Sequence, residues 1–123
     1  MAGNSWQQPV AGEPSWGSPH THVETLVNAA NPGNTSDVTV TCTNVPTGTK
    51  GIWGYATIGG VTTGRVLNIK DSSGNVWRAI YEAYGTTGEG SFFVPLNSSK
   101  QFLYNVDNAD VSAVSIHLRT YFI

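Results

Sequence analysis

Apolar residues in this chain recur at every second position, in short runs, and no convincing helical periodicity interrupts them. Asp37 to Thr43 sets Val38, Val40 and Cys42 on one side and Thr39 and Thr41 on the other, the period of a half-buried β-strand. The same reading gives strands over Val23–Ala29, Gly51–Ile58, Arg65–Lys70, Val76–Tyr84, Ser91–Pro95 and Gln101–Val106. A last strand runs from near Val111 to Ile123. Turn-forming clusters separate them: Asn31-Pro32-Gly33-Asn34, the hairpin loop Asp71 to Asn75, the glycine-rich stretch Gly85 to Gly90, and the Asn/Asp turn Asn105 to Asp110. About eight short strands at roughly ten-residue spacing predict an all-β domain, an antiparallel β-sandwich or jelly roll. Ile52, Ala56 and Ile58 share one strand face, as do Val114, Ile116 and Leu118. The terminal strand is expected to be central or covered, since a free one would fray.

The first twenty-two residues break this pattern. They hold three of the six prolines (Pro9, Pro14, Pro19) and two of the four tryptophans (Trp6, Trp16), and neither lysine nor arginine. Such a segment cannot build a core, yet its indoles are costly to leave in water. The expected organisation is an extended arm over residues 1–22 and a β-sandwich over 23–123. Trp6, Pro9, Trp16 and Pro19 are the expected anchors of the arm on a partner.

Charge narrows the partners. Only 11 % of residues are charged, the net charge is −2, and the first basic residue is Lys50. An arm without cations cannot neutralise phosphates, so neither nucleic acid nor an anionic membrane is an expected partner. No apolar run reaches the length of a membrane span. The N-terminus lacks the basic and apolar regions of a secretory signal, so synthesis is expected to finish in a cytoplasm. Cys42 is the single cysteine, which excludes an internal disulfide. Two glycosylation sequons, at Asn34 and Asn97, read as turns.

Candidate chemistry is sparse. His20 and His22 sit two apart and would share one side of an extended chain. Two ligands make a weak metal site unless copies around a threefold axis contribute more. Glu82 and Glu89 could form a hydrolytic carboxylate pair, but nothing else supports one. Gly88-Glu89-Gly90-Ser91 is not a nucleophile elbow. His117 alternates against Ile116 and Leu118 and is expected at the surface or an interface, and Cys42 is expected to be a buried thiol. The glycine-rich stretches read as turns, not phosphate loops. Asp107 and Asp110 read as turn acids, with calcium as the weaker alternative. Trp53, Tyr55, Trp77 and Tyr81 are the remaining candidates. The alternation of Trp77, Ala79, Tyr81 and Ala83 points to a core or a subunit interface, and an exposed row would point to sugar stacking. Neither an enzyme nor a cofactor is expected.

Three segments carry a resemblance: Val45-Pro46-Thr47-Gly48-Thr49-Lys50-Gly51, then Phe93-Val94-Pro95-Leu96, then Asn105 to Ile123 ending in Thr120-Tyr121-Phe122-Ile123. From Asn44 onward the chain resembles small β-sandwich virion proteins of tailed bacteriophages. The resemblance implies a non-enzymatic structural role on the virion. A trimeric capsid decoration protein bound to the major capsid protein is the first expectation. A carbohydrate- or receptor-binding module of a tail fibre or adhesin is the alternative.

Overall fold

The computed structural model describes residues 17–59, 64–82 and 87–123. Trp6, Pro9 and Trp16 of the expected anchors lie outside them, as do Ala83, Tyr84 and Gly85. Among the described residues there are eight strands and no helix: β1 (Pro19–Ala30), β2 (Val38–Thr41), β3 (Gly51–Gly59), β4 (Val66–Lys70), β5 (Val76–Tyr81), β6 (Thr87–Pro95), β7 (Gln101–Val106) and β8 (Ala113–Phe122). They form two four-stranded antiparallel sheets, ordered β1-β8-β3-β6 and β2-β7-β4-β5. The pairs β1/β8, β2/β7, β3/β6 and β4/β5 are nested inside one another, which is the wrapping of an eight-stranded jelly roll.

The alternation expected from the sequence builds the core. Ile52, Ala56 and Ile58 from β3 and Val114, Ile116 and Leu118 from β8 are fully buried. They face Leu67 and Ile69 from β4 and Phe102, Tyr104 and Val106 from β7. Cys42 joins them at 0 % exposure, and burial, reinforced by the Glu24 carboxylate against the Lys100 ammonium, pushes its thiol up to about 12. β8 is flanked on both sides, by β1 and β3, as expected of it.

Three expectations are corrected. The first strand begins at Pro19, not Val23, so Pro19, His20, Thr21 and His22 pair with β8 and belong to the sandwich instead of the arm. Ser18 is also held, bonding Ile123 in both directions at 2.7 and 3.0 Å. The glycine-rich turn is shorter than expected, because β6 already begins at Thr87. Gly88 and Gly90 serve close approach: a Cβ on Gly88 would fall 2.2 Å from the Tyr81 carbonyl oxygen, and one on Gly90 would fall 2.7 Å from the Arg78 guanidinium. Glycine lets the edge strands β5 and β6 of the two sheets meet there. Finally, the phase of β5 is inverted. Ile80 and Glu82 are buried, while Trp77 and Tyr81 are 47 % and 65 % exposed, so the core assignment of the Trp77–Tyr81 face falls.

Register irregularities matter as much as the pairing. Between Gly54 and Trp53, β3 advances one residue while β8 goes from Leu118 to Thr120, a β-bulge at Arg119. Gly54 lies in the tightest part of this junction. A Cβ there would fall 2.3 Å from the His117 carbonyl oxygen and 2.8 Å from the Phe92 ring. Gly54→Ala is therefore expected to destabilise the fold by about 1–3 kcal/mol or more, as overpacking against backbone does. Urea unfolding of the variant checks this, and an unchanged midpoint would contradict the close approach.

Candidate functional site

The register places one row of side chains after another on the outer face of the sheet β1-β8-β3-β6. Side chains paired directly across antiparallel strands point to the same side. Phe122 pairs with Gly51 and Gly51 with Pro95, Thr120 with Trp53 and Trp53 with Phe93, and His117 with Tyr55 and Tyr55 with Ser91. Their strand neighbours Ile52, Ala56, Phe92, Val94 and Leu118 are buried, so these rows face outward. The face divides into an aromatic end and a polar end.

At the aromatic end the Phe93 ring lies between Phe122, at 5.9 Å, and Trp53, at 6.3 Å, with tilted planes. Phe93 is 48 % exposed and Trp53 37 %. Together with Trp77, Arg78, Ser91 and Phe92 these rings line a groove of about 640 Å³, within the size of small-ligand and side-chain pockets. Trp77 reaches it from β5 across the β5/β6 approach. Its indole Nε1 donates to Asp71 Oδ2 at 3.0 Å. This bond, helped by the Asn75 and Ser73 donors and opposed by partial burial, holds the Asp71 carboxyl below its ordinary value.

At the polar end a chain of side chains crosses all four strands. Thr25 Oγ1 and His117 Nδ1 are 3.1 Å apart, the His117 ring lies 6.1 Å from that of Tyr55, and the Tyr55 hydroxyl donates a short hydrogen bond to Glu89 Oε2. The Arg119 guanidinium sits 5.7 Å from the Tyr55 ring centre, in cation–π range. The Glu89 hydrogen bond raises the Tyr55 phenol above its ordinary 10.0, partial burial and the Glu89 charge add to it, and Arg119 opposes it.

The other sequence candidates fall elsewhere. Trp53 and Tyr55 are neighbours on this face and Trp77 joins its rim. Tyr81 pairs with Val66 on the outer face of the opposite sheet, so the four do not form one row. His20 and His22 share a strand side, as expected, and both pack on Tyr121: His20 stacks at 5.1 Å and His22 meets it edge-on at 6.3 Å. His22 Nε2 donates to Glu24 Oε1 at 3.0 Å, and Glu24 Oε2 accepts from Asn44 at 2.9 Å. Among the described residues no three His, Cys, Asp or Glu side chains converge as metal ligands. Glu82 is buried while Glu89 is on the outer face bound to Tyr55, an arrangement unlike two carboxylates flanking a scissile bond. The Asp107–Asp110 turn is structural. Asp110 accepts from Arg65 Nε and Nη2 at 2.7 and 2.9 Å, and Asp107 accepts from the Val66 amide at 2.9 Å.

Phe93, Phe122, Arg78 and Arg119 are not among the site residues expected from the sequence. The signal for Phe93 is the adjacent pair Phe92-Phe93, because in a strand one of two neighbours must point outward. Phe122 and Arg78 carry no such signal, since each lies beyond a register shift.

A tyrosine titration tests the polar network. Tyr55 should ionise above 10.0, and Glu89→Gln should return it toward that value by removing the charged acceptor. Because the folded phenol is raised, its contribution to stability is present at neutral pH and is lost as pH rises through the folded value. A tyrosinate absorbance curve unchanged by Glu89→Gln would break the assignment.

Compared with known proteins, the chain matches no protein-family model and no curated relative.

Proposed function

We propose that this chain is a structural, non-enzymatic protein of a tailed-bacteriophage virion, a capsid decoration protein on the particle surface. It forms a homo-oligomer, a trimer by the resemblance, and holds neighbouring subunits, the major capsid protein among them, through its N-terminal arm and its outer sheet face. The observation that carries this reading is the aromatic end of that face. Phe93 and Trp53 are exposed side by side with Phe122 and Trp77 at their flanks, in a chain with few charges. Rings gathered in a groove are what interface hot spots are made of. The arm enters the sandwich at the same end, since Pro19 pairs with Phe122.

Native mass and co-sedimentation with capsid shells test it. Full-length protein should oligomerise and pellet with shells. Removal of residues 1–16 should leave a folded body that does not pellet, and Trp53→Ala should weaken association by about 30-fold or more, the loss typical of a buried tryptophan anchor. The cut falls before Gly17 because Ser18 already bonds Ile123. Normal pelleting of the truncated chain would sink the arm's role.

A second reading has its own support. Trp53 stands beside Tyr55, Glu89 and Arg119, and an aromatic wall flanked by fixed hydrogen-bonding groups suits a sugar ring, as in a receptor-binding fibre module. On this reading Trp53→Ala abolishes binding to host surface polysaccharide and leaves the native mass unchanged. A changed mass with no polysaccharide binding by the parent protein would reject it.

A further inference from the structure

We propose that the polar end of the outer face holds an acidic glycan, with one sugar ring lying on Trp53 and the carboxylate of a uronic acid unit paired with the Arg119 guanidinium. The inference rests on the carbohydrate reading above, not on the capsid one, and names the ligand class of that site.

The unused bonding groups on this face point to the ligand. The acid of the face, Glu89, is already engaged, since it accepts the Tyr55 hydroxyl. The cation is not. Arg119 is exposed, and among the described residues it belongs to no ion pair and no hydrogen bond. What holds it is the Tyr55 ring, 5.7 Å away. A guanidinium attracted by a ring face keeps its N–H fork for an anion, because the attraction uses no acceptor atom. That planar fork matches a carboxylate through two parallel bonds. The bulge sets its position: Arg119 is the additional residue between Leu118, paired with Gly54, and Thr120, paired with Trp53.

The neighbours favour a sugar over an acidic peptide. Trp53 and Tyr55 lie two residues apart on one strand face, about 7 Å along the strand, so a ligand ring on Trp53 ends within reach of Arg119. Trp53 is partly exposed, and its indole N–H makes no hydrogen bond among the described residues. Thr120 pairs with Trp53 and faces outward with it, and Ser91 faces outward one row on. Their hydroxyls have no partner among the described residues either. His117 engages Thr25 through Nδ1, which leaves Nε2 to a ligand. A pyranose has an apolar C–H face and an edge of hydroxyls, so it suits an aromatic platform surrounded by donors and acceptors. A peptide carboxylate would use Arg119 and leave the remaining groups unmatched.

The test measures the affinity of the full chain for oligomers of glucuronate, galacturonate and mannuronate, for the same oligomers after carboxyl reduction, and for oligoglutamate. Calorimetry gives the affinity, and the Trp53 indole N–H resonance is the second readout. At least one uronate oligomer should bind and shift that resonance. Its reduced form should bind about tenfold more weakly or worse, the loss expected of a charge-assisted contact. Arg119→Gln should show the same loss, and Lys70→Gln, which removes a cation from the opposite sheet, should not. The reduced oligomers probe the contact without altering the protein, so a variant that fails to fold does not decide the outcome. Equal binding of acidic and reduced oligomers, or unchanged uronate binding by Arg119→Gln, overturns the inference and leaves the carbohydrate reading standing. An equal loss from Lys70→Gln overturns it in favour of bulk charge attraction, and oligoglutamate binding as tight as that of any uronate overturns it in favour of an acidic protein partner. No binding of any glycan, acidic or reduced, overturns both.

Discussion

One additional residue in β8 decides what the outer face of this sandwich can be. Leu118 is inward, and strict alternation would send Thr120 and Phe122 inward with it. The bulge at Arg119 absorbs a residue between Leu118 and Thr120, so Thr120 pairs with outward Trp53 and Tyr121 pairs with inward Ile52. From that point the phase is reversed. Phe122 reaches the outer face against Phe93, and Tyr121 turns under the sheet, where His20 stacks on it. A one-residue change of register moves every later side chain to the other face, so the groove and the histidine–tyrosine stack are two consequences of the same bulge. The Arg119 side chain is itself displayed there, over Tyr55.

The two lateral sides of the sandwich are closed in opposite ways. On one, the glycines of β6 let its edge approach β5 until backbone meets backbone at Tyr81 and a guanidinium meets backbone at Gly90. This approach carries Trp77 and Arg78, residues of the other sheet, to the aromatic end of the outer face. On the other, β1 shifts register against β8 at three places. Such irregularities blunt an edge strand against pairing with a foreign strand. The gap from β1 to the loop after β2 is bridged by Asn44, which donates to Glu24 at 2.9 Å. The β1 edge is thus irregular where β6 is drawn in tightly.

These details show what a single sequence can and cannot disclose. Strand positions were legible wherever alternation was unbroken, as at Val38–Cys42, Ile52–Ile58 and Val114–Leu118, because burial on one face imposes period two. Loops were legible where Asn-Pro-Gly or Asp-Ser-Ser-Gly supplied turn chemistry, and Gly33 and Gly74 do have positive φ there. The inward side of β5 was not legible. Trp77, Ala79 and Tyr81 offer a large apolar stripe, but Ile80 and Glu82 take the interior because the register shift between Ile69 and Lys70 and the pairing of Leu67 with Ile80 fix the phase. Gly88 and Gly90 misled in the same way. Glycine for a turn and glycine for close approach look alike until the neighbour is known. At the candidate site, Trp53 and Tyr55 could be read from the sequence, whereas the partners that make them a site come from other strands.

The division of the outer face bears on how it would be used. Exposed rings near the β8 terminus can gain free energy only by excluding water, with little orientational preference. The Thr25–His117–Tyr55–Glu89 chain gains little from burial but holds donors and acceptors at fixed positions across four strands. A partner covering both ends would draw affinity from the rings and register from the polar chain, the usual partition between an apolar interface centre and a directional rim. A hydrogen-bonding surface, protein or sugar, would meet Tyr55, Glu89 and His117 already oriented by their neighbours, with Arg119 held above the Tyr55 ring.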